Sequence, residues 1–416
     1  MLEDQVVLRC TGCGKEYPFG TYSCENRDGV LFAEYQFGTV RSIADIIDAS
    51  QLGIWKFAKV LPPIPHPITF GEGGTPCLRS RVLGPQLGVT LYVKDEGRNP
   101  TGSFKDRASS VLISTENLLG HDSCTTGSSG NAAGSLALYS QLGRMHLYVF
   151  MYEPTREKLL HTASFNPTIF LVDTPVESEV HRLAEEASNR FGWALLTTMS
   201  SANPFNVEGY KTISYEITQD LGAPDVVAIP VGSGTLALGI WKGFKELHSM
   251  GLIDKLPRLL GVQPRNVAPI FLAYEHGVAS VAPITPEKTM ATGTVVEDPG
   301  IAGEVTLKAI RESKGCMVGV SEEEIRKMWE QLPAKEGIFA EPTGALSIAG
   351  MLTARDQGKI KEGETVVCIN SATGFKDIGL FGASQALAKR VFKMPPNLDA
   401  IERLLKEDTT RHSARR

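Results

Sequence analysis

The sequence lacks any run of 18 unbroken apolar residues, which predicts no membrane-spanning helix. It lacks an excess of one charge: 42 Lys and Arg stand against 47 Asp and Glu, a net charge of −5. Without a basic face there is no basis for nucleic-acid binding, because phosphate contacts need one. The start, Met1 to Val7, carries Glu3 and Asp4 and has no apolar core segment, so no secretory signal is expected. Cysteine is scarce, with seven scattered residues, which reads as reduced thiols in a cytoplasmic protein rather than a disulfide framework. No Lys-Ser/Thr follows the glycine-rich loops, so the Walker phosphate pattern is absent. The eight His are dispersed, with neither HxxxH nor a nucleophile partner pattern.

What is present is length, glycine and alternation. The 416 residues allow roughly two to three domains and a sizeable core. The 41 glycines exceed the usual share and suggest tight turns or backbone close to a ligand. After residue 85, short β-rich runs read as buried strands: Thr90–Lys94, Ser123–Thr126, His146–Met151, Thr168–Val172, Val226–Val231, Leu259–Val262 and Thr365–Ile369. Between them, Ala132–Gln141, Glu177–Phe191, Glu208–Leu221 and Leu236–His248 read as helices. The repetition predicts parallel sheets covered on both faces. Residues 1–60 differ, with Cys10, Cys13 and Cys24 in a small knuckle. Three cysteines fall short of the four ligands of a structural zinc site, and no metal is expected. The Pro-rich Leu61–Pro67 reads as a linker. The last twenty residues place Leu398, Ile401, Leu404 and Leu405 at helical spacing, as in a surface helix or a docking helix.

Five junctions carry candidate chemistry. Asn99-Pro-Thr-Gly-Ser-Phe-Lys105 is turn chemistry leading into a helix, which places Lys105 near a helix start. An ammonium is disfavoured there, so the amine is easier to deprotonate, as a Schiff-base lysine requires; an exposed surface lysine fits the same residues. Ser128-Ser-Gly-Asn131 joins a strand to a helix, where free N–H groups can receive an anion; a plain turn with Asn as cap also fits. Gly232-Ser-Gly-Thr235 opens another helix in a phosphate-cradle arrangement. Read on to Ala237 it loosely matches a dinucleotide fingerprint, but the next strand ends at Val262-Gln263, with no acid to hold a ribose. Ser371 follows the last strand, at the carboxyl end where open α/β sheets place ligands, or else makes a local turn. Glu341-Pro-Thr-Gly is a similar junction with the same two readings.

Taken together these segments resemble the fold-type-II pyridoxal-phosphate enzymes, and within them the threonine synthase-like branch. The resemblance covers roughly residues 60–390, and the run Val93–Arg107 (VKDEGRNPTGSFKDR) is its most specific part. It implies an α/β, tryptophan synthase β-like fold of twisted parallel sheets with helices on both faces. The implied domains are an extension at 1–60, a large cofactor domain at 61–99 with 206–390, a small domain at 100–205, and a tail at 391–416. Lys105 becomes the Schiff-base lysine beside Phe104, Asn131 the partner of the ring O3′, and Gly232, Ser233, Gly234 and Thr235 the phosphate loop. Ser371 becomes the hydroxyl facing the pyridine nitrogen, and Ser128, Ser129 and Gly130 hold the substrate carboxylate. The resemblance also implies a cytoplasmic homodimer acting on an amino acid in biosynthesis, as a carbon–oxygen lyase. Two departures stand out. Ala132 replaces a usual Thr, and Asn206, in Asn203-Pro-Phe-Asn-Val-Glu-Gly-Tyr-Lys-Thr212, replaces an arginine that grips substrate phosphate. Asn supplies no charge and no bidentate fork. Chemistry on O-phosphohomoserine, chemistry on O-phosphoserine or serine as in cysteate synthases and serine/threonine deaminases, and a non-catalytic sensor therefore all stay open.

Overall fold

The computed structural model describes residues 6–174, 178–383 and 393–404. Glu177, Leu405 and the residues that end the chain, like Met1–Gln5, lie outside these. In chain order the strands are β1 (Val6–Cys10), β2 (Glu16–Tyr17), β3 (Leu31–Tyr35), β4 (Cys77–Arg79), β5 (Thr90–Asp95), β6 (Ser123–Gly127), β7 (His146–Met151), β8 (Thr168–Leu171), β9 (Ala194–Leu195), β10 (Val226–Pro230), β11 (Arg258–Pro264), β12 (Cys316–Val320) and β13 (Thr365–Asn370).

Three sheets result. The largest runs β12-β11-β10-β13-β5-β4 and is parallel except for the edge strand β4. Its central strands are buried nearly end to end, as expected where helices cover both faces. The second, β8-β7-β6-β9, is wholly parallel. The third, β2-β1-β3, is antiparallel and belongs to the cysteine-bearing opening. Helices Phe205–Leu221 and Thr235–Ser249 pack on one another, and Pro342–Asp356 lies along β10 to β13.

All seven expected strands are present; β9 and β12 after residue 85, and β1 to β4 before it, were not expected. The four helices are also present, starting earlier at Asn131, Phe205 and Thr235 than their apolar patterns begin. Leu61–Pro67 differs from the expected linker: Leu61, Pro62 and Ile64 are buried, and Leu61 and Ile64 join the main core. Apolar residues between the prolines give this segment something to bury. The chain divides into two compact units after Lys376. The described part of the second holds the helix Ile378–Ala383 and a helical stretch at 398–404, with Leu398 exposed.

Candidate active site

β5 leaves its sheet at Asp95, turns through Glu96–Arg98 and reaches the helix Lys105–Leu118 across the loop 99–104. Lys105 is the first residue of that helix. Its loop is fastened to the turn after β13. Phe104 N–H donates to the Ser371 carbonyl at 3.0 Å, Thr373 N–H donates to the Gly102 carbonyl at 2.9 Å, and Ser103 bridges Ala372. Gly102 has a φ of +81°, and a Cβ there would stand 2.6 Å from Thr373 Cγ2, so the crossing admits only glycine.

Behind the loop the polar groups are paired. Asp106 accepts from Thr101 N–H at 2.7 Å, Thr101 Oγ1 at 2.5 Å and Ser135 Oγ at 2.6 Å. Arg107, fully buried, ion-pairs Glu96 and Glu216, each at 2.7 Å, and Lys94 adds a second bond to Glu216 at 2.7 Å. Burial pushes the Glu216 carboxyl up, but Arg107 and Lys94 outweigh it and hold the group well below the usual range.

Lys105 itself forms no ion pair among the described residues. Burial lowers its pKa to about 8, with the negative charge of Glu341 pulling the other way. Its Nζ lies 4.8 Å from the centre of the Phe104 ring. Asn131 starts the helix Asn131–Leu142, and its Nδ2 donates to both oxygens of Glu341 at 3.0 Å. Ser371 is 1% exposed, and its Oγ has no partner among the described residues; the same holds for the buried Oδ1 of Asn131. Lys105, Asn131, Ser371 and Glu341 thus converge through direct contacts and shared loops. Glu341 is the member that the sequence marks only as part of a strand-to-helix junction, with no role assigned to its carboxylate. Only the fold joins it to Asn131, 210 positions away.

The glycine-rich loop ends β10 and opens the helix Thr235–Ser249. Gly234 has a φ of +98°, and a Cβ there would meet Thr306 Oγ1. Ser233 Oγ and Thr235 Oγ1 are 3.2 Å apart beside the free N–H groups of the helix start. In the other loop, Ser129 Oγ accepts from Tyr152 N–H at 2.7 Å, Ser128 Oγ accepts from Gly130 N–H at 3.4 Å, and Gly130 faces open space. Asn206 is fully buried, and its Nδ2 donates to the carbonyls of Thr197 (2.7 Å) and Asn203 (3.1 Å), which leaves only Oδ1 free. Ser200 Oγ and Asn203 Nδ2 in the same segment are buried and without partners among the described residues; nothing in the sequence marks Ser200, and Asn203 stands out only as the start of the Asn203–Thr212 motif. Thr235 Oγ1 accepts from Ser200 N–H at 3.1 Å, so this segment adjoins the glycine-rich loop.

A cavity of about 470 Å³ lies against the lysine loop, lined by Asn99, Thr101 and Gly102 together with His161, Phe339 and Lys376. Burial, then the neighbouring Lys376 charge, lowers the His161 pKa to about 4, so this ring is neutral at ordinary pH.

Residues 68–372 match the family described as pyridoxal-phosphate dependent enzyme. The chain is 33% identical to the threonine synthase of Methanocaldococcus jannaschii over 413 residues, 97% of this chain and all of that protein. It is 35% identical to the threonine synthase of Mycobacterium bovis over 314 residues, 75% of this chain and 84% of that one. Among solved structures it is similar to the processed threonine deaminase isoform 2 of Solanum lycopersicum, with a TM-score of 0.64 and 25% identity over 76% of this chain and 88% of that chain. No helix among the described residues is long and apolar enough to cross a membrane. With the lysine loop tied to the Ser371 turn and the glycine-rich loop at the carboxyl end of the neighbouring strand β10, the chain belongs to the pyridoxal-phosphate dependent enzymes and is similar, over 97% of its length, to a threonine synthase.

Proposed function

We propose that this enzyme removes a leaving group from Cβ or Cγ of an activated amino acid and lets water or another nucleophile take its place, with O-phosphohomoserine to threonine as the type reaction. The cofactor's fit to the site rests on the atoms left unpaired. Ser371 Oγ and Asn131 Oδ1 are buried polar atoms without partners, which is costly unless a ligand satisfies them. Lys105 would hold the cofactor through its amine, Asn131 would meet the ring hydroxyl, and Gly232, Ser233, Gly234 and Thr235 would hold the phosphate at a helix start. When bound, the cofactor supplies an electron sink for the bond broken at Cα. Two domains are inferred on the same footing. Every strand of the six-stranded sheet falls in 61–99 or 206–390, and every strand of the four-stranded sheet falls in 100–205.

The residues divide the work. Ser128, Ser129 and Gly130 receive the substrate carboxylate at the start of the Asn131–Leu142 helix. The Lys105 amine, with its pKa lowered to about 8, takes the proton from substrate Cα and can return it. Glu341 keeps a negative charge facing that amine and so favours its protonated form after the transfer. The observation that carries the reaction class is the neutral hydroxyl of Ser371 at the end of β13. A hydroxyl can donate to a neutral ring nitrogen but cannot stabilise a protonated ring as a carboxylate does, so the sink is tempered. That suits elimination and replacement better than transamination.

Asn206 favours a second reading, elimination from serine or threonine. Its donor is spent on two backbone carbonyls, so it offers no positive grip to a substrate phosphate. The purified holoenzyme decides between them when supplied with O-phosphohomoserine, O-phosphoserine, serine and threonine in parallel. Inorganic phosphate with threonine from the first substrate is the expected result. Keto acid from serine or threonine, with no phosphate from either phosphorylated compound, replaces the first reading by the second. No turnover of any of the four, with cofactor bound, overturns both.

A further inference from the structure

We infer that Cys10, Cys13 and Cys24 form a three-thiolate site for one zinc ion, with solvent as its fourth ligand. The three sulfurs lie within 4.8 Å of one another, although they come from two separate connections of the β2-β1-β3 sheet. Cys10 ends β1, Cys13 sits in the β1–β2 turn, and Cys24 sits between β2 and β3. Cys13 Sγ and Cys24 Sγ are 3.7 Å apart. That is nearly twice a disulfide bond, about 2.05 Å. It matches the edge of about 3.8 Å for a tetrahedron whose sulfurs stand about 2.3 Å from a central zinc.

The surroundings are shaped to hold sulfurs carrying negative charge. Tyr17 O–H donates to Cys24 Sγ at 3.2 Å. Backbone N–H groups of Asn26 and Asp28 also donate to Cys24, and that of Lys15 to Cys13. Such outer bonds orient metal ligands. The two loops are pressed together at glycines. A Cβ on Gly12 would stand 1.9 Å from the Asp28 carbonyl oxygen. One on Gly29 would stand 2.6 Å from Thr11 Oγ1 and 3.2 Å from Cys10 Sγ. Gly14, with φ +72°, turns the first loop back past Cys13. Cys10 and Cys24 are buried while Cys13 is exposed, so the coordination position left by the missing fourth cysteine opens to water on the Cys13 side. Binding releases the thiol protons to the buffer and changes no oxidation state.

The ion would clasp a module that reaches into the catalytic core. From the same module Tyr22 O–H donates to Glu116 at 2.7 Å, and Tyr35 O–H donates to Glu208 at 2.6 Å. Glu208 lies on the helix that also carries Asn206.

The test uses the full chain with its cofactor, reduced, stripped with a chelator and titrated with cobalt(II) as a spectroscopic stand-in for zinc. Expected are one cobalt per chain, sulfur-to-cobalt charge-transfer absorption with the visible bands of a tetrahedral ion, and their loss when zinc is added. Cys13→Ser should weaken binding by at least about tenfold and cut the charge-transfer intensity by about a third. Cys316→Ser, far from the cluster in sequence, should change neither. Cys13 is exposed, so its variant tests the site even if Cys24→Ser does not fold. Absence of the cobalt bands overturns the inference. So does a spectrum that Cys13→Ser leaves unchanged, or a disulfide between any two of the three found by mass mapping of the freshly purified protein.

Discussion

Two Asn-Pro turns lead into helices beside this site, and they are built oppositely. Asn99-Pro100 precedes the Lys105 helix; Asn203-Pro204 precedes the helix that begins at Phe205. Every polar atom of the Asn99 side chain is engaged. Its Nδ2 donates to the Glu96 carbonyl and carboxylate, and its Oδ1 accepts from Gly73 N–H at 2.8 Å. At the second turn Asn203 Oδ1 accepts from Phe205 N–H at 3.0 Å, but its Nδ2 is buried without a partner, as are Ser200 Oγ and Asn206 Oδ1. A buried unpaired polar group costs about 1–3 kcal/mol. One turn is therefore a nearly finished scaffold that aims a lysine, with Ser103 Oγ its one buried side-chain atom left without a partner among the described residues. The other keeps unspent hydrogen-bonding capacity, as a segment that receives a ligand would.

The largest effect belongs to the scaffolded side. Lys105→Ala removes the amine that moves the Cα proton, and turnover should fall by about 10²–10⁴-fold or more. Fold stability in urea should stay near the parent value, because Lys105 forms no ion pair among the described residues. A variant that kept full activity would show that the scaffold aims the wrong residue.

Arg107→Met tests the scaffold itself. It leaves Glu96 and Glu216 buried with less than their share of positive charge, although Lys94 stays on Glu216. Removing one partner of such a cluster costs about 3–5 kcal/mol. The urea midpoint should drop accordingly, and a change below about 1 kcal/mol would mean that the pairing contributes little to holding the lysine loop.

A smaller effect concerns pH. The neutral amine of Lys105 is the form that combines with an aldehyde, so the rate at which apoenzyme takes up cofactor should rise with pH and level off above about 8. Glu341 raises that pKa. Glu341→Gln should therefore move the midpoint downward, by about one unit or less, in a stopped-flow pH series. An upward move would show that Glu341 acts on Lys105 in some way other than through its charge.

These contrasts also mark what a reader of the sequence can see. Buried parallel strands announce themselves as apolar runs, so β5, β10 and β13 were legible, and the loops at their carboxyl ends were legible with them. β12 was not, although Cys316-Met-Val-Gly-Val320 is as long as β10. The position of Lys105 at a helix start was readable from turn chemistry. The pairing of Asn131 with Glu341 was not, since nothing local couples residues that distant. The cysteine spacing was visible, yet the count of three argued against a metal until the fold brought the sulfurs together. For Asn206 the sequence showed that a positive charge was missing. It could not show that the amide had turned to its own backbone, a choice made by the carbonyls of Thr197 and Asn203.

That choice makes Asn206→Arg the finest test of the contrast. The substitution places a guanidinium where Asn206 now has only its Oδ1 acceptor to offer. It also removes two hydrogen bonds to backbone carbonyls, each worth about 1 kcal/mol. A modest loss of stability is expected whatever the substrate. What the comparison adds is a change in preference. If the unspent atoms of Ser200, Asn203 and Asn206 face the substrate's leaving group, the new fork should raise kcat/KM for a phosphorylated substrate relative to serine by about tenfold, the order expected for one charge-assisted pair. The ratio of the two rates is the quantity to follow, because a general loss of stability lowers both and leaves it unchanged. A constant ratio would place the leaving group elsewhere and reduce the unpaired atoms of the second turn to a matter of packing.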